Sequence, residues 1–312
     1  MKREWIKILV LCICILLLIP WSITRWQKDR PNPVDYQIRV LMPNGKIQKL
    51  NLEEYLVGVV AAEMPAQFDD EALKSQAVAA RTFSAKRLSK LPYPDPGYDV
   101  DTTVLTQAWI SEAQMKEKWN WLGYWRYHSK IKKAVEATQG QVLISNGEYI
   151  DAFYHSSSGR KQTERSEEVW SSPRPYLKNI NSGEETPLRF VKNYTFTPAL
   201  LASKLGIAAP SHFSSSDFQV LTYTAAGRAK DLKILGKVYT AVQLRTLLNL
   251  ASTDIEWTIK PDSISIKTYG NGHAVGMSQY GANDLARKGK SYEEILGYYY
   301  PGSKILSLAQ PK

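Results

Sequence analysis

Apolar and polar positions change period along this chain, and the changes mark out its elements. From Ile8 to Trp21 every residue is apolar, and Trp5 to Ile23 holds one charge, Lys7. A membrane-spanning helix needs roughly 20 such residues, and Trp5 and Trp21 stand where interfacial aromatics stand. No small-residue cleavage site follows, so the run reads as a retained signal anchor rather than a removed signal peptide. Lys2, Arg3 and Lys7 before it nearly balance Arg25, Lys28 and Arg30 after it; the expected orientation keeps the short tail inside and the long domain outside. The partition expected is a tail and anchor over 1–30, a Pro-rich linker over 31–37 and an extracytoplasmic domain over 38–312.

Within that domain, Gln37 to Met42 alternates as a strand, Asn44-Gly45 turns, and Lys46 to Leu50 returns, a hairpin pattern. Asn51 then caps a helix, with Glu54 placed to reach back as in a capping box. Leu52, Tyr55, Leu56, Val59 and Val60 share one face. Glu63 continues that face, and Pro65 ends the helix. A second, alanine-rich helix starts near Asp69-Asp70-Glu71, whose acids complement its dipole, and runs to about Leu88. Leu91 to Gly97 is loop, and Lys116 to Gly140 is helical in parts. Gln141 to Ile144 and Tyr149 to Tyr154 read as strands around Asn146-Gly147. Residues 171–260 alternate helix signals (Pro198 to Leu205, Ala241 to Leu248) with strand signals (Val220 to Tyr223, Leu232 to Leu235), without a motif. Ser263 to Thr268 is a strand, the glycine-rich loop Tyr269 to Gly276 follows, and a helix runs from about Ser278 to Arg287. The fold class expected is mixed α+β, with a helical catalytic half and a β-rich half lining a groove.

Composition narrows the chemistry. Hydrophobic residues make up 44% of the 312, enough for a sizeable core. Both cysteines, Cys12 and Cys14, fall inside the apolar run, so the domain beyond it has no thiol for a disulfide or a cysteine zinc site. Its histidines, His128, His155, His212 and His273, lack metal-ligand spacing. No metal and no cofactor is expected. Residues 1–30 hold six cations and two anions, so +6 of the net +10 lies beyond them. For an exported domain such a charge suits an anionic cell wall or membrane surface better than nucleic acid.

Glu63 is the sharpest candidate. A carboxylate on an apolar face is desolvated, which favours its neutral form, and a neutral acid near pH 7 can protonate a leaving oxygen. The plainer alternative is a local cap or a pair with Arg81. Lys74 and Arg81, two helical turns apart, form a cationic line that holds an anionic substrate group or simply faces solvent. His155-Ser-Ser-Ser-Gly159 suits sugar hydroxyls; its Ser-His pair lacks a nucleophile elbow. Gly270 to Gly276 lacks the spacing and lysine of a nucleotide loop, and serves either as a turn or to place His273 near a groove.

The segments Glu53-Glu-Tyr-Leu-Val-Gly-Val-Val-Ala-Ala-Glu-Met-Pro65 and Glu71-Ala-Leu-Lys-Ser-Gln-Ala-Val-Ala-Ala-Arg-Thr-Phe83 resemble the stage II sporulation protein D family. Phe153-Tyr-His-Ser-Ser157, Ser166-Glu-Glu-Val-Trp170 and Gly272-His-Ala-Val-Gly-Met-Ser-Gln-Tyr-Gly-Ala282 match its later blocks in order. The resemblance implies a membrane-anchored peptidoglycan lytic transglycosylase. Such an enzyme cuts between N-acetylmuramic acid and N-acetylglucosamine in denuded strands, without water, during forespore engulfment. It places the catalytic acid on Glu63, the cationic helix positions on Lys74 and Arg81 and an essential tyrosine on Tyr154; Ser157, His273 and Gln279, in the later motif loops, are the further substrate contacts expected. It implies an amidase of the stage II sporulation protein P type and a scaffold of the stage II sporulation protein M type as partners, on the mother-cell side of the septal membrane. Some relatives carry a Cys/His zinc site near this loop; the absence of cysteine here carries over no metal. The alternative reading is a glycan-binding enhancer of a cell-wall amidase that does not itself cleave.

Overall fold

A computed structural model describes residues 36–89, 97–170, 172–182 and 190–308. The apolar run, most of the exit linker and the loop ahead of Gly97 lie outside these residues. Among the described residues no helix is long and apolar enough to cross a membrane.

The hairpin forms as its alternation predicts: β1 (Gln37–Leu41) pairs antiparallel with β2 (Ile47–Asn51), and the short β3 (Val100–Asp101) adds parallel to β1. The side chain of Asn51 then accepts from the backbone N–H groups of Glu53 and Glu54 and starts α1 (Leu52–Glu63). Eight of its residues are buried, so this helix is covered on nearly all sides rather than on one stripe. Met64 ends it in extended geometry, as the residue before a proline must. Asp69 caps α2 (Asp70–Leu88), whose run of alanines lets it pack against α1 and against α3 (Glu112–Ala137). The third helix starts earlier than its periodicity suggests, because Ser111 and Gln114 form a reciprocal capping box. It breaks at Asn120, where φ is 53°.

The strand expected over Tyr149 to Tyr154 is not continuous. β4 (Gln141–Ser145) pairs with β5 (Glu148–Tyr149), and the chain then leaves the sheet. Lys86 and Arg174 hold the carboxylate of Asp151 at 2.5 and 2.6 Å, which anchors an irregular backbone there. Strand geometry resumes at β6 (Tyr154–His155), now parallel to a distant partner, Met277–Ser278. After a short helix, α4 (Ser166–Trp170), a second hydrophobic core begins. Around it gather β7 (Val191–Phe196), α5 (Pro198–Leu205), β8 (Phe218–Tyr223), β9 (Ala229–Ile234), β10 (Lys237–Thr240), α6 (Ala241–Leu247), β11 (Asp254–Lys260) and β12 (Ser263–Tyr269). They form two antiparallel three-stranded sheets, β10-β9-β8 and β11-β12-β7. The chain then returns to the first core through β13 (Met277–Ser278), α7 (Gln279–Arg287), α8 (Tyr292–Tyr299) and β14 (Lys304–Ser307). The expected α+β class holds, with helices concentrated in the first core and sheet in the second.

One buried pair fastens the crossing between cores. Arg228 and Glu164 meet at 3.1 Å with both side chains almost fully enclosed. Arg228 also donates to the carbonyls of Gln162 and Ser158, which pins the hydroxyl-rich loop after β6.

Candidate active site

Glu63 sits at the last residue of α1, where the break at Met64-Pro65 opens the helix end. Two cavities meet there. One, of about 490 Å³, is lined by Glu63, Met64, Gln67, Lys118, Trp119, Ser156, Phe190, Gln279 and Tyr280 among others. The other, of about 810 Å³, includes Glu63, Gln107, Phe153, Tyr154, Ser156, Trp170, Arg245, His273 and Gln279. Glu63, Ser156 and Gln279 belong to both, and Glu63 is the single carboxylate among the described residues lining either.

The carboxylate is held by donors rather than by a cation. Its Oε1 accepts from the Ala108 backbone N–H at 2.8 Å. That contact exists because position 58 is glycine: a Cβ there would lie 2.1 Å from the Trp109 indole nitrogen. Any side chain on α1 at that point would push the 108–110 segment away. Burial moves the Glu63 pKa above the usual carboxylate range; the Ala108 N–H, the Gln279 side chain and the Tyr154 hydroxyl act against it by stabilising the anion.

The Tyr154 proton has a defined direction. Gln107 Nε2 donates to the Ala80 carbonyl at 3.3 Å, and a carbonyl only accepts, so this bond fixes which end of the amide is nitrogen. The same nitrogen donates to the Tyr154 hydroxyl oxygen at 3.2 Å. Gln107 Oε1 accepts from Ser84 at 3.0 Å and from Tyr55 at 3.4 Å. With its oxygen occupied as acceptor, the Tyr154 hydroxyl turns its proton toward Glu63. Burial and the neighbouring Glu63 charge raise the Tyr154 pKa far above that of free tyrosine, so it stays protonated.

His273 enters the larger cavity from the glycine-rich loop. That loop packs tightly on its neighbour: a Cβ on Gly276, at φ 73°, would lie 2.0 Å from the Phe153 carbonyl oxygen. The His273 ring stands 5.0 Å from Trp170 and 6.3 Å from Phe153, building an aromatic wall. Burial, with Arg245 nearby, lowers its pKa to about 4, so it is neutral at physiological pH. Its Nδ1 accepts from the Val275 N–H at 3.1 Å. His155 donates from Nδ1 to the Val275 carbonyl at 3.2 Å and accepts at Nε2 from Ser158 at 2.8 Å, a structural use of both nitrogens. No cluster of metal-ligating side chains occurs among the described residues.

The remaining expected contacts lie elsewhere. Ser157 is buried, and its hydroxyl accepts from the Gly159 N–H at 3.1 Å. Arg81 is fully enclosed; it forks onto Glu53 at 2.8 and 2.6 Å and reaches the carbonyls of Val135 and Gln141. The local pairing weighed for Arg81 thus goes to Glu53 and not to Glu63. Lys74 pairs with Glu71 at 2.5 Å and stands over the Tyr292 ring. Neither lines a cavity that contains Glu63. Gln107, Ala108 and Arg245, by contrast, were invisible as site residues, since none sits in a segment whose pattern suggests chemistry.

Residues 44–144 match the family model described as Stage II sporulation protein. Stage II sporulation protein D of Bacillus subtilis (strain 168) is 39% identical over 270 residues, covering 84% of this chain and 76% of that protein. The chain belongs to the stage II sporulation protein D family. A second member, from Bacillus amyloliquefaciens, is 37% identical over 266 residues, with 84% and 76% covered. The Amidase enhancer of Bacillus subtilis (strain 168) is 33% identical across 81% of this chain, though only 40% of its own length is matched. Glu63, Gln107 and Ala108 fall inside the family-model match, whereas Tyr154, Arg245, His273 and Gln279 fall beyond it.

Proposed function

We propose that this protein is a lytic transglycosylase acting on denuded peptidoglycan in sporulation. The observation that carries the reading is the position of Glu63: one carboxylate, shared by two adjoining cavities, with no second acid among their described linings. Hydrolases that cut glycans ordinarily need two carboxylates. A strand threaded through both cavities would place one glycosidic bond at Glu63. The acid, whose neutral form burial favours, protonates the bridging oxygen as the bond to the anomeric carbon breaks. The 6-hydroxyl of the muramic acid then attacks that carbon, and the Glu63 carboxylate takes up its proton. One carbon–oxygen bond breaks and one forms, no water is consumed, and the product ends in a 1,6-anhydro ring. Tyr154 and the Ala108 N–H steady the anionic form between the two proton transfers.

In this reading the chain is anchored by its N-terminal apolar run with the domain outside the cytoplasm. It follows an amidase that strips stem peptides and works beside a membrane scaffold. The Amidase enhancer relative motivates a second reading, a glycan-binding activator that does not cleave. Mass spectrometry of denuded strands incubated with the protein separates them. Products ending in 1,6-anhydro-muramic acid, lost in Glu63→Gln by roughly a hundredfold or more, are expected. Reducing ends that carry added water would overturn the mechanism, and intact strands would favour the activator.

A further inference from the structure

The motif-free stretch supplies a charged group to the site. Helix α6 belongs to the second core, where Ala241 and Leu244 are buried, yet Arg245 on the same helix lines the larger cavity with Glu63, Trp170 and His273. Its Nε donates to the Ala251 carbonyl at 3.4 Å. That carbonyl also accepts from the Gly272 N–H at 3.0 Å, so one backbone oxygen ties the arginine and the His273 loop together. Among the described residues no carboxylate pairs with Arg245, although every other cavity-lining charge of the larger cavity is Glu63 alone. A half-buried guanidinium without an anion is costly unless something supplies one. The contrast with Arg81, Arg160 and Arg228 is direct: each of these has its own carboxylate. The smaller cavity also has a cation, Lys118, but its Nζ is engaged by the Ala61 carbonyl at 3.0 Å.

We propose that Arg245 binds the lactyl carboxylate of an N-acetylmuramic acid ring seated in the larger cavity against Trp170 and His273. This rests on the glycan reading above. The planar guanidinium fork matches a carboxylate in two parallel hydrogen bonds, which a lysine ammonium does not reproduce. Aromatic faces beside it suit the apolar side of a sugar ring. The ligand expected is therefore an acidic amino sugar, and the acidic ring is held on the larger-cavity side of Glu63.

The test measures binding, not turnover. A fluorescently labelled denuded strand is titrated into the full-length Glu63→Gln protein, with and without Arg245→Gln. The same is done with the strand's lactyl carboxylates converted to methylamides, and with a chitooligosaccharide of equal length. Arg245→Gln should weaken binding of the denuded strand roughly ten- to hundredfold, the range for a hydrogen-bonded charge. The amidated strand should bind the Arg245 protein with a similar loss, and Arg245→Gln should then change little. Arg245→Lys should recover only part of the affinity. Equal weakening on all three probes would mean a structural role and overturn the proposal, as would undiminished binding of the amidated strand, an arm that needs no change at Arg245. Should Glu63→Gln leave strand cleavage intact, the transglycosylase reading fails while these binding results still decide the role of Arg245.

Discussion

Two charged side chains in the same pair of helices are withdrawn from water, Arg81 wholly and Glu63 in part, and have opposite fates. Arg81 on α2 is fully enclosed and fully answered: Glu53 takes its fork, and two backbone carbonyls take what remains. Glu63 at the end of α1 is desolvated but meets only neutral donors, and its environment leaves it at a cavity junction with a raised pKa. A buried charge with a dedicated counter-ion is architecture, because its energy is already balanced. A desolvated acid without one has its neutral, proton-carrying form favoured, which is what a proton donor needs. Burial by itself does not distinguish the two; the partner does.

That contrast is sharpest in stability. Arg81→Ala should destabilise the fold by about 3–5 kcal/mol, since it strands Glu53 and frees two interior carbonyls; urea unfolding of the variant measures it. A loss under about 1 kcal/mol would break the comparison. Glu63→Gln should act the other way. Wild-type Glu63 has a folded pKa above its unfolded value, so the native state holds the proton more tightly, and stability falls as pH rises through that interval. Glutamine cannot ionise and escapes this penalty. The variant's melting temperature should therefore exceed the wild type's by a margin that is small in acid and grows toward neutral pH. A margin that shrinks as pH rises would show Glu63 stabilised as an anion, in the manner of a structural carboxylate. The smallest effect is expected at Lys74, whose pair with Glu71 is partly exposed. Lys74→Ala should change stability by about 1 kcal/mol or less and leave denuded-strand affinity within twofold. A larger loss of affinity would return Lys74 to the substrate path.

Much of α1 is legible in its local sequence. The Asn51 cap, the apolar spacing from Leu52 to Val60 and the Pro65 stop act within a few residues, so local sequence contains their cause. The acid on that face was legible for the same reason. The irregular path from Ile150 to Phe153 was not, because Lys86 and Arg174 hold Asp151 from far along the chain. Helical spacing puts Lys74 and Arg81 on one side of α2 but does not say what covers that side, and it is folding that sets Arg81 against Glu53.

What the sequence determined by itself is the helix that ends in Glu63, the turn-rich loop that delivers His273, and the family to which both belong. Only the tertiary structure decided what surrounds the acid. Gly58 has no visible role until Trp109 lies across it and brings the Ala108 N–H to Glu63. Tyr154 acquires a proton direction only when Gln107, from another segment, is fixed by the Ala80 carbonyl. Arg245 reaches the cavity from a second core whose residues carry no motif. The physical reason is common to all three. Hydrogen bonding and desolvation depend on which atoms come within about 3 Å, and for these residues folding brings in neighbours that are remote in sequence.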